Sequence, residues 1–60
     1  MNYDFIMYVN GQQKFTRQLF CKDEETMLNV GHGMMYAMFA MYKKPLLAIY
    51  CNDKLVHRIS

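Results

Sequence analysis

Cys21, Cys51, His32 and His57 are the residues of this 60-residue sequence whose types suit a zinc site. Thiolates and imidazoles are the ligands zinc prefers, and structural zinc sites bring them in closely spaced pairs, such as two cysteines separated by two residues. None of these four residues forms such a pair, so buried thiols and surface histidines are expected and no metal is. Gly31-His32-Gly33 has the glycines of a phosphate loop. It has no preceding strand, no following Lys-Ser/Thr and no third glycine, so phosphate binding is not expected there. Asp23, Glu24 and Glu25 bring carboxylates together as acid–base chemistry would require. A helix start explains the same residues: Asp caps, and the positive end of the helix dipole favours glutamates and lowers their pKa values. No serine or cysteine has a histidine and an orienting acid at recognisable spacing. The expectation is a protein without catalysis and without a cofactor.

Binding chemistry remains. Seven Lys and Arg against five Asp and Glu leave a net charge of +2. Lys14, Arg17, Lys22, Lys43, Lys44, Lys54 and Arg58 are scattered, and Tyr8 and Phe20 could stack on bases from an open sheet face. A pI near 8.6 lies below that of a dedicated nucleic-acid binder, so a small nucleic-acid-binding module is the alternative and not the first reading. Hydrophobic residues make up 53% of the chain, which excludes a disordered tail. The longest unbroken apolar run, Met34 to Tyr42, is less than half the roughly 20 residues a membrane span needs, so no membrane partner is expected. No basic segment leads into an apolar one after Met1, so no secretory signal is expected. Reduced thiols and a cytoplasmic location follow. A chain this short buries only about 60% of the surface its unfolded form exposes, and without disulfides it needs a metal, a partner or exceptional packing. Seven methionines favour a partner, because Met adapts to a surface better than it specifies a core.

The elements that would carry such a surface follow from periodicity. Tyr3 to Val9 alternates as a strand, and Asn10-Gly11 is a strong hairpin signal. A loop of Asn10-Gly11-Gln12 pairs Val9 with Gln13, Met7 with Phe15 and Tyr3 with Leu19. It collects Tyr3, Phe5, Met7, Val9, Phe15, Leu19 and Cys21 on one face, with Gln13 and Arg17 as polar exceptions. Asn2, Asp4, Lys14, Thr16 and Gln18 lie opposite, with Ile6, Tyr8 and Phe20. A one-residue slip would mix these faces, so the sorting selects the register. Asp23-Glu24-Glu25 opens a helix over about residues 24 to 43, closed by Lys43-Lys44 and stopped by Pro45. Gly31 and Gly33 each cost up to about 1 kcal/mol in its interior, which predicts a kink or a close approach to the backbone. Leu46 to Cys51 and Lys54 to Ile59 form a second hairpin about Asn52-Asp53. Its register places Leu46, Ala48, Tyr50, Leu55, His57 and Ile59 together, with Leu47, Ile49, Cys51, Lys54, Val56 and Arg58 opposite. The predicted fold is α+β: a small antiparallel four-stranded sheet with one helix packed on it, in the order ββαββ, in one domain over residues 1–60.

At about 100° per residue, Met27, Val30, Met34, Met38 and Met41 share one stripe of the helix, and Leu28, Met35, Phe39 and Tyr42 continue it to one side. Glu25, Asn29, His32, Tyr36 and Lys43 form the polar stripe. The apolar arc spans about 200°, against the roughly 100° that one sheet covers. Leu28, Met35 and Phe39 are therefore expected to meet another chain, unless a curved sheet wraps that flank.

The order of elements and the Met-rich composition resemble the Dmd antitoxin family of T-even phages. The resemblance is carried by Phe15-Thr16-Arg17-Gln18-Leu19, by Lys22-Asp23-Glu24 at the entry to the helix, and by Leu47-Ala48-Ile49 with Asn52-Asp53-Lys54-Leu55-Val56 in the last hairpin. The chain departs from that pattern in having no tryptophan and a helix that aligns only with an insertion. The resemblance implies a phage protein, in the cytoplasm of an infected bacterium, that binds a host toxin endoribonuclease or other defence enzyme and blocks its active site. Asp23, Glu24 and Glu25 would meet the basic groove of such an enzyme, while Leu28, Met35 and Phe39 anchored the contact. The same surface would serve a homodimer.

Overall fold

Every second residue of the first strand is buried, and the rest of the architecture is arranged around that alternation. In the computed structural model, which describes all 60 residues, β1 (Asn2–Val9) buries Tyr3, Phe5, Met7 and Val9 on one side. β2 (Gln12–Phe20), α1 (Glu24–Phe39), β3 (Pro45–Cys51) and β4 (Lys54–Ile59) complete the order ββαββ. The four strands form one antiparallel sheet in the order β2-β1-β3-β4, so the fold is the small α+β architecture expected. β2 and β3 both run antiparallel to β1 from opposite sides, and the chain between them must cross β1. The helix is that crossing, which is why it lies on one face of the sheet and leaves the other bare.

Both hairpins turn on two residues with positive φ: Asn10 (54°) and Gly11 (78°) in the first, Asn52 (52°) and Asp53 (63°) in the second. These are the backbone angles of the type I′ turn, whose twist matches that of the flanking strands. The first hairpin corrects the expected loop. Val9 pairs with Gln12 and Tyr8 with Gln13, and a bulge at Lys14 then restores Met7 to Phe15 and Tyr3 to Leu19. From Phe15 onward the side chains are sorted as predicted, by a bulge after a two-residue turn and not by a longer loop, while Gln13, expected on the Val9 face, lies on the opposite face across from Tyr8. The second hairpin uses the same device and overturns the expected faces. A bulge at Val56 pairs His57 with Ile49, Arg58 with Ala48 and Ile59 with Leu47. His57 and Ile59 therefore turn to the helix side, and Arg58 joins Ala48 on the open side. A bulge inserts one residue into one strand, and with a side-chain period of two it exchanges the faces beyond it.

The core is a single cluster between helix and sheet: Tyr3, Phe5, Met7, Cys21, Met27, Met35, Leu47, Ile49 and Cys51. Its position depends on Gly31. A methyl group there would stand 3.0 Å from Cδ1 of Ile49 and 3.1 Å from Cδ1 of Ile59. The helix thus rests its backbone on two isoleucines, which is the close approach that a glycine in mid-helix implied. Sitting that low, α1 lets Leu28 and Met35 descend on one side of the contact and Met27, Val30, Met34 and Met38 on the other. The broad apolar arc is thereby largely covered within one chain. The helix is also shorter than expected. It ends at Phe39, and the amides of Ala40, Met41 and Tyr42 bond back to the carbonyls of Ala37 and Met38. Lys43 and Lys44 lie in the loop beyond it, because the chain must reverse before Pro45. Lys44 takes φ 50°, a left-handed conformation that cannot continue the helix and leads the chain into Pro45.

Gly33 faces open space, with nothing within 4 Å of a methyl group placed there. Gly33→Ala should therefore stabilise the protein by about 0.5–1 kcal/mol and raise the melting temperature by several degrees. Gly31→Val should overpack the core and cost about 1–3 kcal/mol, while Gly33→Val stays close to neutral. Equal melting shifts at the two glycines would mean that the helix does not rest on Gly31.

Candidate partner-binding site

The six residues expected to meet a partner separate into three groups. Asp23, Glu24 and Glu25 sit together, exposed, at the start of α1. Asp23 is the N-cap: its Oδ1 accepts from the Thr26 amide at 2.8 Å. Hydrogen bonds from the Thr26 side chain and backbone N–H hold the Asp23 carboxyl below its ordinary value of 3.8. Glu24 and Glu25 occupy the first turn, where the helix dipole favours negative charge, and extend the acidic end toward solvent. Leu28 is half-buried against the core. Met35 is only 2% exposed and belongs to the core itself, so the expectation that it anchors a partner is corrected. The cause is the seat at Gly31, which turns the Met35 flank down toward the sheet.

Phe39 remains outside, 57% exposed. Two further large residues near it are exposed: Tyr36, 84%, which the periodicity puts on the polar stripe, and Met41, 70%, which it puts on the methionine stripe. Tyr36 and Phe39 are three residues apart on one helical face, and Met41 follows in the turn after the helix. Tyr36 was open to discovery from the sequence, since it lies about 180° from Met27 at 100° per residue. Met41 was not, because its exposure depends on where the helix stops. The 16-residue helix is about 24 Å long, so its exposed surface carries acid at one end and apolar side chains at the other, with Lys43 and Lys44 just beyond.

The zinc-type residues are not assembled. No group of three or more His, Cys, Asp and Glu side chains is placed to hold a metal ion. Cys21 and Cys51 are buried free thiols, and His32 is exposed on the helix. At the acidic end, the Tyr3 hydroxyl lies in a small cleft of about 250 Å³ with Glu24, Met27 and Cys51. Burial raises its pKa above the ordinary 10.0, and the negative charge that Cys51, Glu24, Cys21 and Asp23 can carry adds to the effect. No buried side-chain nitrogen or oxygen lacks a hydrogen-bond partner.

The helix-free face of the sheet carries a larger groove, about 480 Å³, over β1, β3 and β4. Tyr8, Leu46, Ala48, Tyr50, Leu55 and Arg58 line it, with Lys44, Asn10 and Gly11 at one end. No helix of the protein is long and apolar enough to cross a membrane. Comparison with known proteins finds no matching family model, no matching curated protein and no matching solved structure.

The Asp23 cap has a pH signature. Its folded pKa is depressed, so its stabilisation is fully present above the ordinary carboxylate value and is lost as the pH falls through the lower folded value. Asp23→Ala should lower the melting temperature at neutral pH, and the gap from the unaltered protein should narrow on acidification. Asp23→Asn, which keeps a capping oxygen without the titrating charge, should retain most of the stability and lose that part of the pH dependence. A gap independent of pH would show that the carboxylate does not act as the cap.

Proposed function

We propose that this protein is a non-catalytic inhibitor that acts by protein–protein contact, binding a host toxin endoribonuclease or another defence enzyme in the cytoplasm of an infected bacterium. The observation that carries the reading is the pair of bare aromatic side chains Tyr36 and Phe39, one turn apart at the end of α1 and followed by exposed Met41, in a helix whose other large apolar residues are half-buried or buried. Large aromatic side chains held on a rigid element are what anchors a protein interface. The acidic turn of Asp23, Glu24 and Glu25 supplies the charge that steers such a surface to the basic groove of an RNA-cleaving enzyme. The resemblance to the phage antitoxins supports the same reading and names the class of target. Leu28 contributes its exposed part, and Met35 acts by holding the helix in place.

Co-expression with bacterial toxin endoribonucleases tests this, read as colony formation and messenger half-life. The unaltered protein should protect. Tyr36→Asp and Phe39→Asp should each weaken binding by about 2 kcal/mol, roughly thirtyfold, and the pair should abolish protection. Both positions are exposed, so the variants should melt near the unaltered protein. Full protection by the folded double variant would place the contact elsewhere, and failure of the unaltered protein to protect against any such enzyme would remove the inhibitor reading.

A further inference from the structure

The open sheet face has an order that the helix face lacks. The strand registers lay it out in rows: Gln18, Asp4, Tyr50 and Leu55 in one, Thr16, Ile6, Ala48 and Arg58 in the next, then Gln13, Tyr8 and Leu46. Ala48 is at the centre, and its short side chain makes the floor of the groove. Tyr8 and Tyr50 stand one row to either side, about 13 Å apart along the strands at roughly 3.3 Å per residue. Arg58 borders the floor on β4, and Lys44 closes the end beyond Tyr8. No carboxylate lines the groove, and Asp4, which shares the face, lies in the row at the opposite end from Lys44.

We propose that this groove binds single-stranded nucleic acid, with bases stacked on Tyr8 and Tyr50 over the Ala48 floor and backbone phosphates paired with Arg58 and Lys44. Two aromatic rings flanking a shallow floor, with cations beside it and no acid within it, are complementary to a flexible polyanion whose every unit has a flat π-face. The volume lies within the range of small-ligand sites and suits a nucleotide or two. Arg58 is there because of the bulge at Val56, which turns it from the helix side to the open side. The site is separate from the helix surface assigned to inhibition and does not depend on that reading.

Fluorescence anisotropy of the full chain with a labelled uridine oligonucleotide of about ten residues tests the proposal. Binding should weaken with salt along a log–log slope of about −1.4, for two phosphates neutralised on a single strand. Tyr8→Ala and Tyr50→Ala should each weaken it by roughly 5- to 150-fold, while Tyr8→Phe and Tyr50→Phe should retain it, because stacking uses the ring. Arg58→Gln should reduce the salt slope by about 0.7. Tyr36→Asp with Phe39→Asp, which removes the helix anchor, should leave oligonucleotide binding unchanged, so loss of one function is distinguishable from loss of the other. The proposal fails if the unaltered protein does not bind the oligonucleotide, or if the two Tyr→Ala variants bind it equally well while remaining folded. It also fails if an acidic peptide competes as effectively as a second oligonucleotide, or if the groove variants change only the sedimentation of the protein, which would make the face a contact between copies.

Discussion

The contact between the backbone of α1 at Gly31 and the tips of Ile49 and Ile59 is the constraint from which the rest of the molecule takes its shape. Sixty residues provide one helix and one sheet, and a helix on ordinary side chains would rest high, leaving part of its apolar surface in water. A glycine at the point of closest approach lowers the helix, so that methionines on both flanks reach the sheet. Methionine suits this geometry, because its unbranched chain bends into irregular gaps beside a helix whose centre is in contact. The propensity cost of glycine in mid-helix, up to about 1 kcal/mol, is offset by the apolar area that the closer approach buries.

That seat also decides which surface is available to other molecules. Rotating the buried centre of the helix to Gly31 withdraws Met35 and half-buries Leu28, while the early end of the helix at Phe39 leaves Tyr36, Phe39 and Met41 outside. On the far side, the crossing of the helix over β1 commits one face of the sheet to the core and leaves the other without a layer. The protein therefore presents two faces of different character. One is a helix with an acidic start and an apolar end. The other is a groove with tyrosines on a small floor and cations at its border.

Much of this was legible in the sequence because it depends on local chemistry. The alternation from Tyr3 to Val9, the positive-φ residues Asn10, Gly11, Asn52 and Asp53, and the cap at Asp23 each follow from neighbours a few residues away. The acidic part of the candidate site belongs to the same class, and Glu24 and Glu25 lie where the dipole argument puts them. The bulges were not legible. An extra residue at Lys14 or Val56 leaves no composition signal, yet it reverses the side to which every later residue of the strand points. In the first hairpin the hydrophobic sorting was strong enough to recover the register beyond the bulge. In the second, both faces carry apolar residues, and Arg58 was placed on the wrong side.

What the sequence determined by itself is the inventory and order of elements: two hairpins with a helix between them, one apolar face on the first strand, a helix start at Asp23 and a stop before Pro45. These are set by turn chemistry, side-chain periodicity and capping, all of which act over one or two turns of chain. Only the tertiary structure decided where the helix rests, and with it the fate of Met35 and the exposure of Tyr36, Phe39 and Met41. It alone also brought Arg58 beside Ala48 between two tyrosines. The physical reason is that rotation of a helix on a sheet is set by the shape of the contact, here a missing side chain at Gly31 and two isoleucine tips facing it. Neither residue declares the other in the sequence, and only the packed core brings them together.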